Sequence, residues 1–289
     1  MIDVVAEVRE AQAVVALETT LIAHGFPRGE GIAVGLESEA RVREAGAVPA
    51  TIGVLDGRVR VGLTEAELAR FDASARKVGP RDLAAAVAQD AVGATTIGGT
   101  LAVCRAAGIS VVATGGLGGV HRGWTEHLDV SSDLGELART RCVVVSSGVK
   151  SLLDVPATME VLETLAVPVL GYGTDELPLF YAARGGPPVS ARVETAADAA
   201  EVARAHWELG GGGVLLARPP DQSLEDVEPL IEHALRDAGE RGLSGKDVTP
   251  FVLSWLHERS GGRTLAANRA LVVANAGLAA QVALALGRD

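Results

Sequence analysis

The sequence has little lysine, few aromatic residues and only two cysteines. Among its 26 basic residues only Lys77, Lys150 and Lys246 are lysines, and aromatic residues make up 3% of the chain. Valine, alanine and leucine must therefore supply most of the core. Cys104 and Cys142 lie in apolar surroundings without CxxC spacing. This pattern predicts reduced core thiols, which suit a cytoplasmic protein, and argues against a disulfide framework.

The chain also lacks an excess of positive charge and any long apolar run. Its net charge of −11, with no lysine- and arginine-rich run, argues against a nucleic-acid partner. A small anionic ligand remains possible, because backbone N–H groups and a few cations suffice to bind it. No segment approaches about 18 uninterrupted apolar residues, so we expect no membrane span. The N-terminus lacks the basic region and apolar stretch of a signal peptide.

Strand-like and helix-like segments alternate along nearly the whole chain, which has no repeat or evident linker. Alternation of this kind predicts a mostly parallel sheet covered by helices on both faces. We therefore expect one α/β domain over residues 1–289, with three layers in the order α/β/α. The predicted strands are 13–17, 108–116, 141–148, 167–173 and 212–219, with an edge strand at 187–194 and a hairpin over 50–63 that turns at Asp56-Gly57. The predicted helices are 28–45, 79–90, 158–166 and 195–210, and the tail from Ser223 is mostly helical.

One lysine stands where ligand sites are expected. In "RCVVVSSGVKSLLDVP" (141–156), Lys150 follows a buried strand and precedes a helix start. Open α/β sheets place their ligands at the carboxyl ends of strands. Glu18, in "ALETTLIAHG" (16–25), also follows directly on an apolar strand. A carboxylate there is either a partly buried acid with a chemical task or a structural acceptor of N–H groups.

Two loops combine glycine with hydroxyl residues. "GATTIGGT" (93–100) and "ATGGLGGVHRG" (113–123) lie where strands pass into loops or helices. Glycines there let backbone N–H groups approach a phosphate, although neither loop matches GxxxxGK[ST] or a GxGxxG that opens a helix after the first strand. Tight turns that need positive φ explain the same glycines, so both interpretations stay open.

Acidic residues and one histidine cluster in "WTEHLDVSSDL" (124–134). Glu126, His127, Asp129 and Asp133 lie within eight residues and could hold a divalent cation. Taken alone, the segment is better explained by Ser131 or Ser132 capping a helix that begins near Asp133.

Taken together, several segments resemble one family, the pseudouridine-5′-phosphate glycosidases, also described as indigoidine synthase A-like proteins. The matching segments run collinearly through nearly the whole chain: "ALETTLIAHGFP", "ARKVGPRDL", "GATTIGGT", "VVATGGLGGVHRG", "LDVSSDLGEL", "SSGVKSLLDVPATMEVLETLAVPVLGY", "TDELPLFY" and "LVVANAGLAA". The resemblance implies a lyase that interconverts pseudouridine 5′-phosphate and water with uracil and ribose 5-phosphate. It further implies a divalent metal, typically Mn²⁺, and a trimeric α/β/α enzyme.

The resemblance assigns a role to each matching site residue. It implies that Lys150 is the nucleophile that bonds covalently to ribose C1′, and that Glu18 is the proton donor. Asp129 matches the metal ligand. The residues matched to substrate contacts are Lys77, Ile97, Ser131, Ser132, Asp133 and Asn275, the last of them near the pyrimidine. Lys246 receives no catalytic role.

The chain departs from the usual family pattern at a few positions. Trp124, Thr125 and Gly173 replace a frequent small residue, acid and glutamine, and "LLARP" varies a more usual "VANP". Ser146 and Ser147 replace a Cys-Ala type pair before the nucleophile.

Two other functions remain as alternatives. A Schiff-base aldolase or lyase acting on another sugar phosphate would use the same lysine. A non-catalytic sugar-phosphate binding protein would need neither Glu18 nor Lys150.

Overall fold

The computed structural model describes residues 1–27, 29–243 and 248–287, without the side chains of Glu126, His127 and Glu225. Lys246 therefore lies outside the described residues. The strands in the described part of the chain are β1 (Ile2–Val4), β2 (Val14–Glu18), β3 (Val48–Leu55), β4 (Arg58–Val61), β5 (Arg76–Val78), β6 (Gly93–Thr95), β7 (Val111–Ala113), β8 (Val143–Ser146), β9 (Val169–Tyr172), β10 (Ala191–Val193) and β11 (Val214–Ala217).

Helices connect most of these strands. They are α1 (Ala6–Glu10), α2 (Thr20–His24), α3 (Glu30–Glu44), α4 (Glu65–Leu68), α5 (Leu83–Ala88), α6 (Ile97–Ala107), α7 (Trp124–His127), α8 (Ser132–Arg139), α9 (Val155–Thr164), α10 (Ala196–Glu208), α11 (Glu228–Glu240), α12 (Val248–Arg259) and α13 (Arg263–Leu286), with short 3₁₀ helices at Pro80–Asp82 and Glu225–Val227.

The sheet is mostly parallel, as the sequence predicts. Its central path runs β1-β4-β3-β2-β7-β8-β11-β9-β10, and β10 forms one edge. The described antiparallel pairs are β3 with β4 and β3 with β6. The β3–β4 hairpin turns at Asp56-Gly57, where both residues have positive φ, the geometry that a tight two-residue hairpin turn requires.

Both faces of the central strands are buried, which explains their continuous apolar sequences. In β8, Val144 packs in one core with residues of α6, α8 and α9, while Val143 and Val145 pack in a second core with α3, α10 and α13. Successive side chains of a strand point to opposite faces, so this partition places a helical layer on each side of the sheet. The fold is the expected three-layer α/β/α domain.

The longest helix, α13, lies against the sheet. It has 24 residues, and its most apolar 18-residue window has a mean hydropathy of 1.6, enough by length and composition to cross a membrane. More than half of that window is buried, and α13 packs against α3, α10, β2, β7 and β8. A buried central helix of a three-layer fold has this composition for packing reasons alone.

Strand order places a switch point beside β2. From β2 the chain passes through α3 to β3 on one side, whereas β7 and β8 lie on the other side. Ligands of open α/β sheets bind in the crevice outside the carboxyl ends of strands at such a point. Here that crevice lies between the end of β2 at Glu18 and the end of β7 at Ala113.

Candidate active site

Two polar side chains meet at the switch point. Thr114, the first residue after β7, donates a hydrogen bond of 2.6 Å from Oγ1 to Glu18 Oε1. Glu18 is only 8% exposed and Thr114 2%. A short hydrogen bond to a buried carboxyl group fixes its orientation, so Glu18 presents a defined oxygen to the crevice.

Burial changes the acidity of Glu18. Desolvation raises its pKa to about 7, against the opposing effects of the Lys150 charge and the Thr114 hydrogen bond. The charge of Asp133 adds a further upward shift, and Lys77 a downward one. A carboxyl group with a pKa near 7 can both give and take a proton at neutral pH, which is the requirement for general acid–base catalysis.

Backbone hydrogen bonds between two neighbouring loops hold the main chain at Lys150. The loop after β7 and the loop after β8 continue side by side, with Leu117 N donating to Gly148 O (3.0 Å) and Lys150 N donating to Leu117 O (3.1 Å). Gly148 has φ +81°, and a Cβ there would lie 2.0 Å from Pro178 O. The glycine thus permits a turn that a side chain would block, two residues before Lys150.

Asp133 ties two glycine-containing segments together. Its carboxylate accepts hydrogen bonds from Gly98 N (2.8 Å) and Gly118 N (3.1 Å), and its own N–H bonds to Ser131 Oγ (3.3 Å). Ser131 is the N-cap of α8, as the capping interpretation of this segment predicts. The Asp133 carboxylate is 4% exposed and is satisfied by backbone donors.

The N-terminus of α6 lies beside these glycine-containing segments. Thr96 caps α6 by accepting a hydrogen bond from Gly99 N, and Ile97 is the first residue of that helix. The positive end of α6 therefore points at the site, where it favours an anion. Lys77 belongs to β5, which pairs with β6 immediately before Thr96.

These segments enclose a cavity of about 780 Å³, within the range of small-molecule sites. Glu18, Lys77, Ile97, Asp129, Ser131, Ser132, Asp133 and Lys150 all line it. The sequence-predicted site residues therefore converge, although they come from separate segments. Asn275 is not among the described lining residues, because its buried amide donates to Thr114 O (2.8 Å) and lies against Ser147 Oγ (3.2 Å).

The sequence is similar over nearly its whole length to one known family and to several individual proteins. A family described as indigoidine synthase A like protein matches residues 3–285. This chain belongs to that family. Pseudouridine-5′-phosphate glycosidase of Streptomyces griseus is 50% identical over 97% of this chain and 90% of its own length. The protein of the same name from Deinococcus radiodurans is 48% identical, over 99% of this chain and 94% of its own.

Solved structures agree with the family assignment. An indigoidine synthase A-like protein of Thermotoga maritima has 39% sequence identity and a TM-score of 0.92, covering 100% of this chain and 97% of its own. The prealnumycin C-glycosynthase AlnA, solved in complex with ribulose 5-phosphate, has 39% identity and a TM-score of 0.89. That comparison covers 99% of this chain and 97% of AlnA.

In this family member the serine pair shortly before Lys150 takes part in hydrogen bonds. Ser146 Oγ donates to Gly148 O (2.8 Å), and Ser147 Oγ donates to Asn275 Oδ1 (3.4 Å). Both contacts brace the turn that leads to Lys150. The other departures, at Trp124, Thr125 and Gly173, are not among the described residues that line the cavity.

Asp129 lies in the short segment between α7 and α8. His121 N donates to Asp129 O (3.0 Å), and His121 Nδ1 lies 3.7 Å from Asp129 Oδ2. Burial lowers the pKa of His121 more than the neighbouring Asp129 raises it. No group of three or more potential metal ligands occurs among the described residues. The Asp129 carboxylate could serve as an oxygen ligand for a hard cation that keeps most of its waters.

The structure adds lining residues that sequence reasoning missed. Thr114, His121 and Phe180 line the cavity, and all three stand inside segments that carry the family resemblance. His121 contacts Asp129, eight residues further along the chain in a segment that folds back, and the local sequence pattern does not reveal this contact. His24 also lines the cavity, with Nε2 at 3.0 Å from Ala75 O.

Proposed function

We propose that this chain is a pseudouridine-5′-phosphate glycosidase that reversibly cleaves the C–C glycosidic bond to give uracil and ribose 5-phosphate. The observation that carries the proposal is the meeting of Glu18 and Lys150 in one cavity at the switch point of the sheet. The names of the relatives from Streptomyces griseus and Deinococcus radiodurans support it. The complex of AlnA with ribulose 5-phosphate supports a sugar phosphate as ligand.

The reaction explains why a lysine is needed. Ordinary glycoside hydrolysis protonates a heteroatom leaving group, whereas the leaving atom in pseudouridine is carbon. In the proposed mechanism the neutral amine of Lys150 bonds to C1′ while the C1′–O4′ bond breaks and Glu18 protonates O4′. Glu18 then takes back a proton from the new C1′–N group.

The second half of the reaction uses the same proton donor. Glu18 protonates C5 of uracil as the C1′–C5 bond breaks, and the electron pair of the Lys150 nitrogen forms an imine with C1′. Water adds to the imine and releases the open-chain ribose 5-phosphate. A pKa of about 7 lets Glu18 serve in both directions at neutral pH.

The phosphate end of the substrate is assigned to the part of the cavity lined by Lys77, Ser131 and Ser132. Lys77, the hydroxyl groups of Ser131 and Ser132, and the N-terminus of α6 at Ile97 provide positive charge and donors there. The Asp133 carboxylate contributes by holding the two glycine segments in place, since backbone N–H groups already occupy its oxygens.

A divalent cation, Mn²⁺ first among the candidates, is assigned to Asp129. When bound it would supply a positive charge that screens the substrate phosphate. Asp129 would bind it, and His121 would orient the Asp129 carboxylate. We further propose a homotrimeric, cytoplasmic enzyme without nucleic-acid or membrane partners.

Two alternatives give different products. A Schiff-base aldolase or lyase acting on another sugar phosphate would form the same imine but release no uracil. A sugar-phosphate binding protein would turn nothing over.

The direct test is uracil release from pseudouridine 5′-phosphate, followed by ultraviolet absorbance. We expect turnover by the wild-type chain and a loss of more than about 10³-fold in Lys150→Ala, with substrate binding retained. Wild-type protein that binds pseudouridine 5′-phosphate without releasing uracil would overturn the proposal.

A further inference from the structure

A second, smaller cavity lies behind Glu18, between the sheet and α3. Its volume is about 20 Å³, and its polar lining residues are Glu18, Thr114, Thr51 and Ser38. A buried water needs a space of about this size and two to four polar partners. Glu18, Leu21 and Thr114 line both cavities. The Glu18–Thr114 pair therefore forms the wall between the substrate cavity and this rear cavity.

The rear cavity connects to a second carboxyl group. Thr51 is 1% exposed and donates a hydrogen bond from Oγ1 to Glu39 Oε1. Glu39 lies on α3, is partly exposed, and faces Arg43 and Glu7. Burial raises the pKa of Glu39, while the Thr51 hydrogen bond and Arg43 oppose that shift and Glu7 adds to it. Glu39 can thus carry a proton closer to neutral pH than an exposed glutamate.

Ser38 is oriented differently from Thr51. Its hydroxyl donates to Val34 O (2.8 Å) within α3. The Ser38 proton therefore already has a hydrogen-bond acceptor outside the rear cavity. Thr51 is the described hydroxyl that bridges the rear cavity and a second carboxyl group. Thr51 is in register with Leu17 and shares its face of the sheet, and both line the rear cavity together with Glu18.

We propose that Glu18 exchanges protons with solvent through its rear face, by way of one water in the rear cavity, the Thr51 hydroxyl and Glu39. This inference rests on the proposed function of Glu18 as the proton donor. In the outward direction the Glu18 carboxyl gives its proton to the water, the water gives one to Thr51 Oγ1, and Thr51 gives its own to the Glu39 carboxylate. Glu39 then releases the proton to solvent, and each bridging oxygen ends with the protons it had at the start.

The orientation of Thr51 fits this direction, because its hydroxyl donates to Glu39. Rotation of the Thr51 and water hydrogens reverses the path and reprotonates Glu18. The path has a use because bound substrate covers the front of Glu18. A complex formed with ionised Glu18 can then be protonated without releasing its substrate.

Three variants test the path. Glu39→Gln keeps an oxygen to accept the Thr51 hydrogen bond but cannot carry a proton, so it disturbs the fold least. Thr51→Val removes the hydroxyl at nearly constant shape, and Thr51→Ser restores it. Glu37→Gln is the matched control, because Glu37 lies on the same helix, is exposed and pairs with Arg269 at 2.7 Å.

The readout is kcat for uracil release at pH 6 and pH 8. Above pH 7 more complexes form with ionised Glu18, so blocking the path should cost more there. We expect Glu39→Gln and Thr51→Val to lower kcat roughly threefold or more at pH 8 but less than about twofold at pH 6, well below the loss from removing the acid itself. Thr51→Ser and Glu37→Gln should keep the wild-type ratio of the two rates.

A purely structural role for Thr51 and Glu39 would lower kcat equally at both pH values, and that result, or wild-type rates at both, would overturn the proposal. A high-resolution crystal structure gives a second readout that needs no turnover. A water within hydrogen-bond distance of both Glu18 and Thr51 supports the path. A dry rear cavity overturns it even if uracil is released, whereas a wild-type chain that releases no uracil contradicts the proposed function alone.

Discussion

At the scale of single residues, Glu18 occupies a position where its ionisation costs free energy. Its pKa of about 7 in the folded protein lies above the ordinary value of 4.5. Between these two values the folded chain binds more protons at this site than the unfolded chain does. Stability contributed by the protonated form is therefore complete below about pH 4.5 and is lost as the pH rises through 7. The buried Glu18 carboxyl group therefore lowers the free energy of unfolding at alkaline pH, where it must ionise.

Replacing Glu18 should therefore stabilise the protein in a pH-dependent way. We expect Glu18→Gln to raise the free energy of unfolding at pH 8 by up to about 3 kcal/mol, given about 1.4 kcal/mol per pKa unit. The gain should shrink at pH 5. Thermal unfolding at the two pH values measures it. Glu7→Gln, at an exposed carboxylate paired with Arg43, is the control that should give no such gain. Equal effects of Glu18→Gln at both pH values would contradict the assignment of a raised pKa.

Asp129 provides the test of the cation. Exhaustive chelation should lower uracil release, and Mn²⁺ or Mg²⁺ should restore it, because both prefer oxygen ligands such as the Asp129 carboxylate. Asp129→Asn should raise the metal concentration needed for half-maximal activity. Full activity after chelation would show that no ion is essential.

The sequence placed most of the candidate site but not the roles of individual atoms. The motifs around Glu18, Lys77, Asp129 and Lys150 predicted side chains that share one cavity. They could not show that the Asp133 carboxylate accepts hydrogen bonds from Gly98 N and Gly118 N, because those contacts join separate segments of the chain. The same limit hid the Thr114 hydrogen bond to Glu18 and the inward position of Asn275.

At the scale of elements, the turn after β8 decides where Lys150 stands. Gly148 has positive φ and no room for a Cβ, whereas Gly173 has φ +65° with nothing within 4 Å of the same position. We expect Gly173→Ala to cost about 1 kcal/mol from backbone strain alone. Gly148→Ala should cost about 3 kcal/mol or more, because the Pro178 carbonyl must also move.

Chemical denaturation compares the two glycine variants, and uracil release shows whether the lysine has shifted. Gly148→Ala should lose turnover even under conditions where it is fully folded. Gly173→Ala should retain it. Equal stability and turnover of the two variants would mean that the turn does not position Lys150.

Elements with strong local signals were predicted well. Asp56-Gly57 forms the hairpin turn, the helix predicted at 195–210 is α10, and 187–194 contains the edge strand β10. The helix predicted at 158–166 instead begins at Val155, because Asp154 caps it and Pro156 lies in its first turn. Three-residue strands such as β5 and β6 are too short to show a period, so "GATTIGGT" was interpreted as a loop although its first three residues pair with β3 and β5.

At the scale of the whole molecule, the sequence predicted the three layers but not the strand order. Apolar runs that alternate with amphipathic helices identify a parallel sheet buried on both faces. Which strands are neighbours depends on long-range packing, so the switch point between β2 and β7 could not be located from composition. That switch point makes Glu18 and Thr114 neighbours and brings Lys150 to the same cavity.

The whole account depends on a covalent bond between Lys150 and the sugar. The direct measurement is mass spectrometry of peptides after borohydride reduction of the enzyme during turnover of pseudouridine 5′-phosphate. We predict a reduced ribose-phosphate adduct on the peptide containing Lys150 in the wild-type chain and in Lys246→Arg, and no adduct in Lys150→Arg, whose guanidinium stays protonated and cannot attack carbon. An adduct absent from Lys150, or a Lys150→Arg enzyme that keeps a sizeable fraction of wild-type turnover, would contradict the account.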